Sequence, residues 1–275
     1  MVTRIITGIV GIALAAFVIQ SGGWIFAAVI MLLSLTGWHE FARAFAHNGQ
    51  PTSYFTGMLA LLLFGGCAWI GSTDEFMAVS MFVVLIVLAE AVLLHGSFSI
   101  EEACISIAGI FYVGFAFSHL ILLRFWGDSI LIASPVGAMP YGCVLLWIAL
   151  LGTWSSDTFA YFSGSLLGSH KLCTSISPNK TIEGFVGGLL GTTAVVTGLG
   201  VLLDFPLVHM TALGVSLALV ATLGDLVESV MKRHTGIKDS GSLIPGHGGV
   251  LDRFDSVMFT VPFVYYFVQV FNLAG

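Results

Sequence analysis

The chain consists of long apolar runs separated by short polar segments. Nine runs lie at 5–20, 23–43, 54–72, 76–95, 104–125, 140–162, 182–203, 207–231 and 256–273. Each is close to the roughly 20 apolar residues that a helix needs to cross the hydrocarbon core of a bilayer. The pattern therefore predicts an all-α fold, a polytopic transmembrane helix bundle of about nine spans.

The amino-acid composition is typical of a protein that is embedded in a lipid bilayer. Hydrophobic residues make up 57% of the 275 positions and charged residues only 9%, whereas a soluble domain carries about 25% charged residues. The four cysteines are scattered and form no CxxC pair, so the sequence indicates neither a disulfide framework nor a zinc site.

The positions of the cations predict the orientation. With a cytoplasmic N-terminus and nine spans, eight of the nine cations fall on the cytoplasmic side and only Arg124 falls outside. These eight are Arg4, Arg43, Lys171, Lys180, Lys232, Arg233, Lys238 and Arg253. This positive-inside bias also favours an odd number of spans. It places two large polar loops, at about 163–181 and 232–255, in the cytoplasm. We therefore divide the chain into N-terminal transmembrane helices, 1–135, and a C-terminal transmembrane region, 136–275, and expect the functional site of the second region at the cytoplasmic face.

Charged residues are concentrated between positions 224 and 255. This stretch contains four of the nine cations and five of the fifteen acids. Carboxylates hold a hard cation such as Mg²⁺, while Lys and Arg bind phosphate oxygens, so this mixture is typical of a metal–polyphosphate site. Asp252 and Asp255 are spaced i, i+3, and would share a face if the last helix begins there. Asp225 and Glu228 lie near the end of the eighth span, where acids are costly and often functional. The alternative for both acids is salt bridging with Lys232 and Arg233 at the interface.

Two shorter motifs suggest anion binding, each with a structural alternative. The glycines of Pro245–Gly249 allow a backbone to approach a ligand and present N–H groups to an anion, but an ordinary surface turn has the same composition. Ser177–Pro178 resembles an N-cap followed by proline at the first helical position. A helix beginning there, beside Lys180 and Thr181, would attract phosphate, although simple capping explains the pattern equally well.

Glycines recur at GxxxG spacing in the seventh span, as Gly184/Gly188 and Gly187/Gly191. This spacing predicts close helix packing rather than chemistry.

The run from Ser229 to Asp255 resembles the signature of the phosphatidate cytidylyltransferases, also called CDP-diacylglycerol synthases. The matching positions are Ser229, Lys232, Arg233, Lys238, Asp239, Pro245, His247, Gly248, Gly249, Asp252, Arg253 and Asp255. The segments Asp157–Tyr161 and Ser177–Thr181 resemble upstream motifs of the same family. The close resemblance covers roughly 155–255. Ser169 departs from the pattern, because many relatives carry a basic residue there.

The resemblance implies that CTP and phosphatidate react to CDP-diacylglycerol and pyrophosphate in the presence of Mg²⁺. It implies metal binding by Asp225, Asp252 and Asp255. The catalytic set comprises these three residues together with Lys232, Arg233, Lys238, Asp239, His247 and Arg253. The substrate-binding set comprises Asp157, Ser177, Lys180, Thr181, Ser229, Gly248 and Gly249.

The expected partners are CTP, phosphatidate and the lipid bilayer, with no nucleic acid. The prediction allows a second cation beside Mg²⁺ and a homodimer. Without an N-terminal extension, a bacterial inner membrane is favoured over an organelle.

A rival enzyme is another CTP-using membrane protein such as a polyprenol kinase, which fits the D-R-x-D arrangement after the GHGG turn less well. A transporter or channel is the rival from another class. It predicts charged residues near the bilayer midplane, whereas here Glu90 lies within an apolar run and the other acids lie at or near the ends of spans.

The charge bias predicts that position 240 faces the cytoplasm. A Ser240→Cys variant, made in a chain whose four native cysteines have been replaced, is expected to react with a membrane-impermeant maleimide only after the cells are opened. Labelling in sealed cells would show that position 240 faces outward, which would contradict the predicted orientation.

Overall fold

The computed structural model describes residues 2–241 and 248–273, in which long helices are accompanied by two short β-hairpins. The helices are α1 (Val2–Ser21), α2 (Gly23–His47), α3 (Tyr54–Ile70), α4 (Thr73–Leu93), α5 (Ile100–Phe125), α6 (Tyr141–Leu167), α7 (Ile182–Leu202), α8 (Leu207–Thr235), α9 (Leu251–Phe254) and α10 (Val257–Val270). The strands are β1 (Leu131–Ser134), β2 (Gly137–Pro140), β3 (Lys171–Cys173) and β4 (Ser177–Thr181). Both pairs, β1–β2 and β3–β4, are antiparallel. The predicted all-α class is confirmed.

Six helices of the described part are long and apolar enough to cross a membrane: α2, α4, α5, α6, α7 and α8. Three shorter apolar helices, Gly8–Ser21, α3 and α10, occupy the positions of the remaining predicted spans. The chain is a multi-pass membrane protein, whereas the number of nine spans stays a prediction.

The chain forms two compact units. The first comprises Met1–Leu122 and Met231–Phe254, and the second comprises Leu123–Val230 and Asp255–Gly275. The functional division into 1–135 and 136–275 stays a prediction.

Aromatic side chains fill the core of the first unit. Trp38 of α2 is fully buried, and its Nε1 donates a hydrogen bond to the carbonyl oxygen of Tyr54 at 2.9 Å. Phe64 of α3 is also fully buried and packs against the ring of Phe76 with centroids 5.1 Å apart. Glu90, the acid inside an apolar run, accepts hydrogen bonds from the hydroxyls of Ser53 and Thr56. This carboxylate is therefore satisfied by two hydroxyls at the start of α3 rather than left unpaired in lipid.

Glycines allow α6 and α7 to pack closely in the second unit. A Cβ added to Gly184 would lie 2.9 Å from the carbonyl oxygen of Ala160, and one added to Gly188 would lie 3.1 Å from that of Ser156. The GxxxG spacing thus brings backbone against backbone, which confirms the packing prediction. Helix α10 joins α6 through a buried hydrogen bond between the hydroxyls of Thr153 and Thr260, 2.8 Å apart.

The C-terminal span differs from its prediction. Asp252 lies in the one-turn helix α9, whereas Asp255 lies in the turn that separates α9 from α10. The expectation that both carboxylates share a face of one helix is therefore wrong. Asp255 Oδ1 accepts the backbone N–H of Ser256 at 2.6 Å, and such local side-chain bonds compete with continuation of a helix.

Helix α8 continues beyond its predicted end at 231. Lys232 and Arg233 therefore lie in its last turn. Cations are favourable there because the helix dipole places partial negative charge at the C-terminus.

The packing of α7 predicts different costs for two glycines of the same helix. We expect Gly188→Leu to lower stability by about 1–3 kcal/mol, because the side chain would be forced into the backbone of α6. Gly198→Leu is the matched control, since an added Cβ at Gly198 meets no atom within 4 Å. Thermal unfolding in detergent, followed by tryptophan fluorescence, measures both variants. Equal losses would contradict the packing described here.

Candidate active site

Asp252 is the centre of a charged cluster in the first unit. Its Oδ1 lies 2.5 Å from Nζ of Lys232, and the two side chains are 5% and 22% exposed respectively. The carboxylate also accepts the backbone N–H of Ser240, at 2.9 Å to Oδ2, and the N–H of Gly249 at 2.6 Å. Since a buried charge is costly unless it is paired and hydrogen-bonded, these donors explain how Asp252 can leave water.

Glycine at 248 is required by the backbone beside Asp252. Gly248 has a φ of +88°, and a Cβ added there would lie 2.5 Å from Oδ2 of Asp252. A side chain would therefore be strained and would also displace the carboxylate. In the described part of the predicted glycine turn, Gly248 therefore leaves room for the Asp252 carboxylate of the same chain.

A second carboxylate of this cluster comes from α2 and escaped the sequence analysis. Glu40 is 5% exposed. It accepts the N–H groups of Val250 and Leu251 at 2.9 and 3.0 Å and the hydroxyl of Ser240 at 3.2 Å. Its only local signal is an acid within the second apolar run, where a charge is costly enough to suggest function.

Lys180 and Asp225 form the corresponding pair in the second unit. Nζ of Lys180, on β4, lies 2.7 Å from Oδ2 of Asp225, on α8. The hydroxyl of Ser229, one turn further along α8, donates to Oδ1 of Asp225 at 3.4 Å. The two charged side chains are 23% and 34% exposed. This pair is therefore accessible to a ligand, in contrast to the more deeply buried Asp252.

Asp255 approaches the same part of α8 because residue 224 is glycine. A Cβ added to Gly224 would lie 2.6 Å from the carbonyl oxygen of Asp255 and 3.0 Å from Cα of Ser256. Asp255 thus comes close to the turn of α8 that carries Asp225.

The expectation that Ser177 caps a helix is wrong. Ser177–Thr181 form strand β4, and α7 begins at Ile182. The N-cap is Thr181, whose Oγ1 accepts the N–H of Gly184 at 3.1 Å. Thr181 satisfies one of the unpaired N–H groups of the helix start, whereas Ser177 pairs with Cys173 across the hairpin. Phosphate contacts from Ser177, Lys180 and Thr181 stay predictions.

Glu183 organises the start of the β3–β4 hairpin. It accepts the N–H and the hydroxyl of Ser169, both at 3.2 Å, and pairs with Nδ1 of His170 at 2.6 Å. The serine that departs from the family pattern is therefore engaged locally.

The remaining predicted residues divide into exposed and undescribed positions. Asp157, Arg233, Lys238, Asp239 and Arg253 are exposed. His247 lies outside the described residues, as do Pro245 and Gly246.

The carboxylates permit a test of the fit to Mg²⁺. Among residues 2–241 and 248–273, no three His, Cys, Asp or Glu side chains are grouped so that they could hold a metal ion. Mg²⁺ usually keeps several waters and binds one or two carboxylates plus substrate phosphates. Asp225 and Asp255, whose backbones Gly224 allows to approach in the second unit, carry oxygen donors of the type that this mode uses, and their role as metal ligands stays a prediction. Three donors already surround Asp252, so its role as a metal ligand stays a prediction.

Comparison with known proteins shows similarity along nearly the whole chain. A family model described as "Cytidylyltransferase family" matches residues 2–271. The phosphatidate cytidylyltransferase of Bacillus subtilis (strain 168) is 32% identical over 99% of this chain and 99% of its own length. The protein of that name from Synechocystis sp. is 37% identical over 96% and 95%, and that from Staphylococcus saprophyticus is 34% identical over 95% and 96%. The similarity therefore includes the N-terminal helices as well as the C-terminal motif.

Proposed function

Because this chain belongs to the cytidylyltransferase family, we propose that it transfers CMP from CTP to phosphatidate in the presence of Mg²⁺, giving CDP-diacylglycerol and pyrophosphate. The observation that carries the proposal is the near full-length similarity to relatives named phosphatidate cytidylyltransferase. We place this reaction in phospholipid biosynthesis.

The reaction needs positioning and charge stabilisation more than proton transfer. An oxygen of the phosphatidate phosphate attacks the α-phosphorus of CTP, and the bond from that phosphorus to the bridging oxygen of the β-phosphate breaks. The attacking phosphate is already ionised near neutral pH, so no strong general base is required. Two anions must be brought together, and the charge on departing pyrophosphate must be stabilised.

Cations of the chain suit that task. Lys180 is held by a partly exposed carboxylate, so a phosphate can compete for its ammonium group. We assign phosphate binding to Lys180, Lys232 and Arg233. Lys238 and Arg253 have the same proposed role, and both are exposed. Asp239 and His247 are proposed to orient these groups or a ligand.

Asp225 and Asp255 are the residues that we propose to hold Mg²⁺, with Asp252 as a further candidate. The bound metal would polarise phosphate oxygens and neutralise charge. The donor set fits this role because hard carboxylate oxygens are the ligands that Mg²⁺ prefers. Ser229, as a donor to Asp225, would orient the carboxylate.

The lipid substrate is proposed to keep its acyl chains in the bilayer. Removing them from hydrocarbon would cost about 0.8 kcal/mol for each CH₂ group. Entry between helices avoids that cost and is compatible with the multi-pass architecture. We propose a bacterial inner membrane with the reacting groups at the cytoplasmic face, an orientation that the labelling of position 240 tests.

Purified protein in mixed micelles is expected to form CDP-diacylglycerol and pyrophosphate from CTP and phosphatidate when Mg²⁺ is present. CTP labelled separately at its α- and γ-phosphates identifies the transferred group. Label from the α-position in the lipid supports the proposal. Transfer of only the γ-phosphate would identify a lipid kinase, and solute flux in liposomes without CTP turnover would identify a transporter.

Asp225→Asn and Asp255→Asn are each expected to lower turnover by more than about 100-fold, because loss of outer-shell partners alone costs about 10–100-fold at metal sites. A Mg²⁺ titration should partly restore a variant that still binds metal weakly. Asp252→Asn is expected to lower both turnover and thermal stability, since Lys232 would lose its buried partner.

Asp204→Asn is the matched control for these variants. Asp204 lies in the second unit and is exposed, and its φ of +60° is one that Asn tolerates. Near wild-type rates for Asp225→Asn and Asp255→Asn at low Mg²⁺ would remove both residues from the proposed metal site.

A further inference from the structure

Two carboxylates hold the same two short segments of the first unit. These flanking segments, Ser240–Gly241 and Gly249–Leu251, precede and follow the undescribed positions 242–247. Asp252 accepts N–H groups from both segments, one from Ser240 and one from Gly249. Glu40 also binds both segments, through the hydroxyl of Ser240 and the N–H groups of Val250 and Leu251.

Glycines on both segments allow Glu40 to come this close. A Cβ added to Gly249 would lie 2.5 Å from each oxygen of the Glu40 carboxylate, and one added to Gly241 would also collide with it. The backbone on either side is therefore shaped around this carboxylate. Glu40 is buried, so its hydrogen bonds are those of a side chain removed from water.

We propose that Glu40 is a positioning residue for the reaction. It fixes the positions of the two flanking segments relative to each other. The N–H groups of Ser240 and Gly249 in turn hold the carboxylate of Asp252 against Lys232. Glu40 thus acts through the predicted phosphate-binding and acidic side chains, about 200 positions away in sequence, and touches no substrate itself. The inference rests on the proposed cytidylyl transfer, because the groups that Glu40 positions are assigned by that reaction.

Both oxygens of Glu40 are needed for this role. Oε1 accepts the N–H of Val250, while Oε2 accepts the N–H of Leu251 and the hydroxyl of Ser240. A glutamine has one acceptor oxygen and one NH₂ donor. In either orientation its NH₂ would face a backbone N–H group. Glu40→Gln therefore removes acceptors without changing the size of the side chain.

The test compares Glu40→Gln with Glu90→Gln in the full-length protein in detergent. Both carboxylates belong to the first unit and accept hydrogen bonds, but in the part of the chain that the structure describes the Glu90 carboxylate accepts them from the hydroxyls of Ser53 and Thr56 and not from the flanking segments. The kcat and the KM for CTP are measured per folded protein, with the folded fraction taken from size-exclusion chromatography. Hydrogen exchange of the Val250 and Leu251 amides is followed in the same samples.

Glu40→Gln is expected to lower kcat per folded protein at least tenfold and to speed exchange of both amides. Glu90→Gln is expected to keep kcat within twofold of wild type, whatever its stability. Wild-type kcat and KM for the folded fraction of Glu40→Gln would overturn the inference while leaving the proposed function intact. Absence of CTP turnover in the wild type would instead refute the proposed function and this inference with it.

If Glu40→Gln does not fold, two milder variants test the positioning role of Glu40. Ser240→Ala removes one donor to Glu40 and leaves the backbone N–H of Ser240 bonded to Asp252. Glu40→Asp keeps the charge but is one CH₂ group too short to reach both flanking segments. Each is expected to lower kcat several-fold with the folded fraction preserved. A kcat within twofold of wild type in both variants would overturn the inference.

Discussion

A carboxylate that leaves water must find hydrogen-bond donors or a cation, and much of the charged structure of this chain follows from that constraint. In the first unit, Asp252 is satisfied by Lys232 and two backbone N–H groups. Glu40 is satisfied by two N–H groups and one hydroxyl. Because all of these donors except Lys232 belong to the segments beside 242–247, satisfying the acids also determines the backbone next to the predicted glycine turn.

Glycine makes these arrangements sterically possible. At positions 224, 248 and 249 it allows backbone or carboxylate atoms to approach within distances that a side chain would block. At 184 and 188 the same property brings α6 and α7 together. Residues of one type thus serve helix packing in one place and the placement of charges in another, since both require the absence of a Cβ.

The contrast between the two charged pairs has a chemical consequence. Lys180 and Asp225 are partly exposed and held mainly by each other, so either can exchange its partner for a substrate phosphate or a hydrated cation at modest cost. Lys232 is paired with a carboxylate that is 5% exposed, and separating a buried pair leaves an uncompensated charge. The first pair therefore suits exchange of partners, whereas Lys232 can offer its remaining N–H donors to a phosphate while its pair with Asp252 maintains the local geometry.

The sequence by itself determined the membrane architecture and the chemical character of the C-terminal half. Apolar runs identify helices because their length must match the bilayer. The dense mixture of acids and cations between 224 and 255 indicates phosphate chemistry because carboxylates hold a hard cation while Lys and Arg bind phosphate oxygens. The GxxxG spacing predicts close packing for a reason that is equally local.

Only the tertiary structure decided which charges meet. It paired Lys232 with Asp252 and Lys180 with Asp225, moved the helix cap from Ser177 to Thr181, and placed Asp252 and Asp255 in separate elements. It also brought Glu40 to a segment about 200 residues away. Periodicity and spacing describe neighbours along one element, whereas these contacts depend on how distant elements pack, which no local pattern encodes.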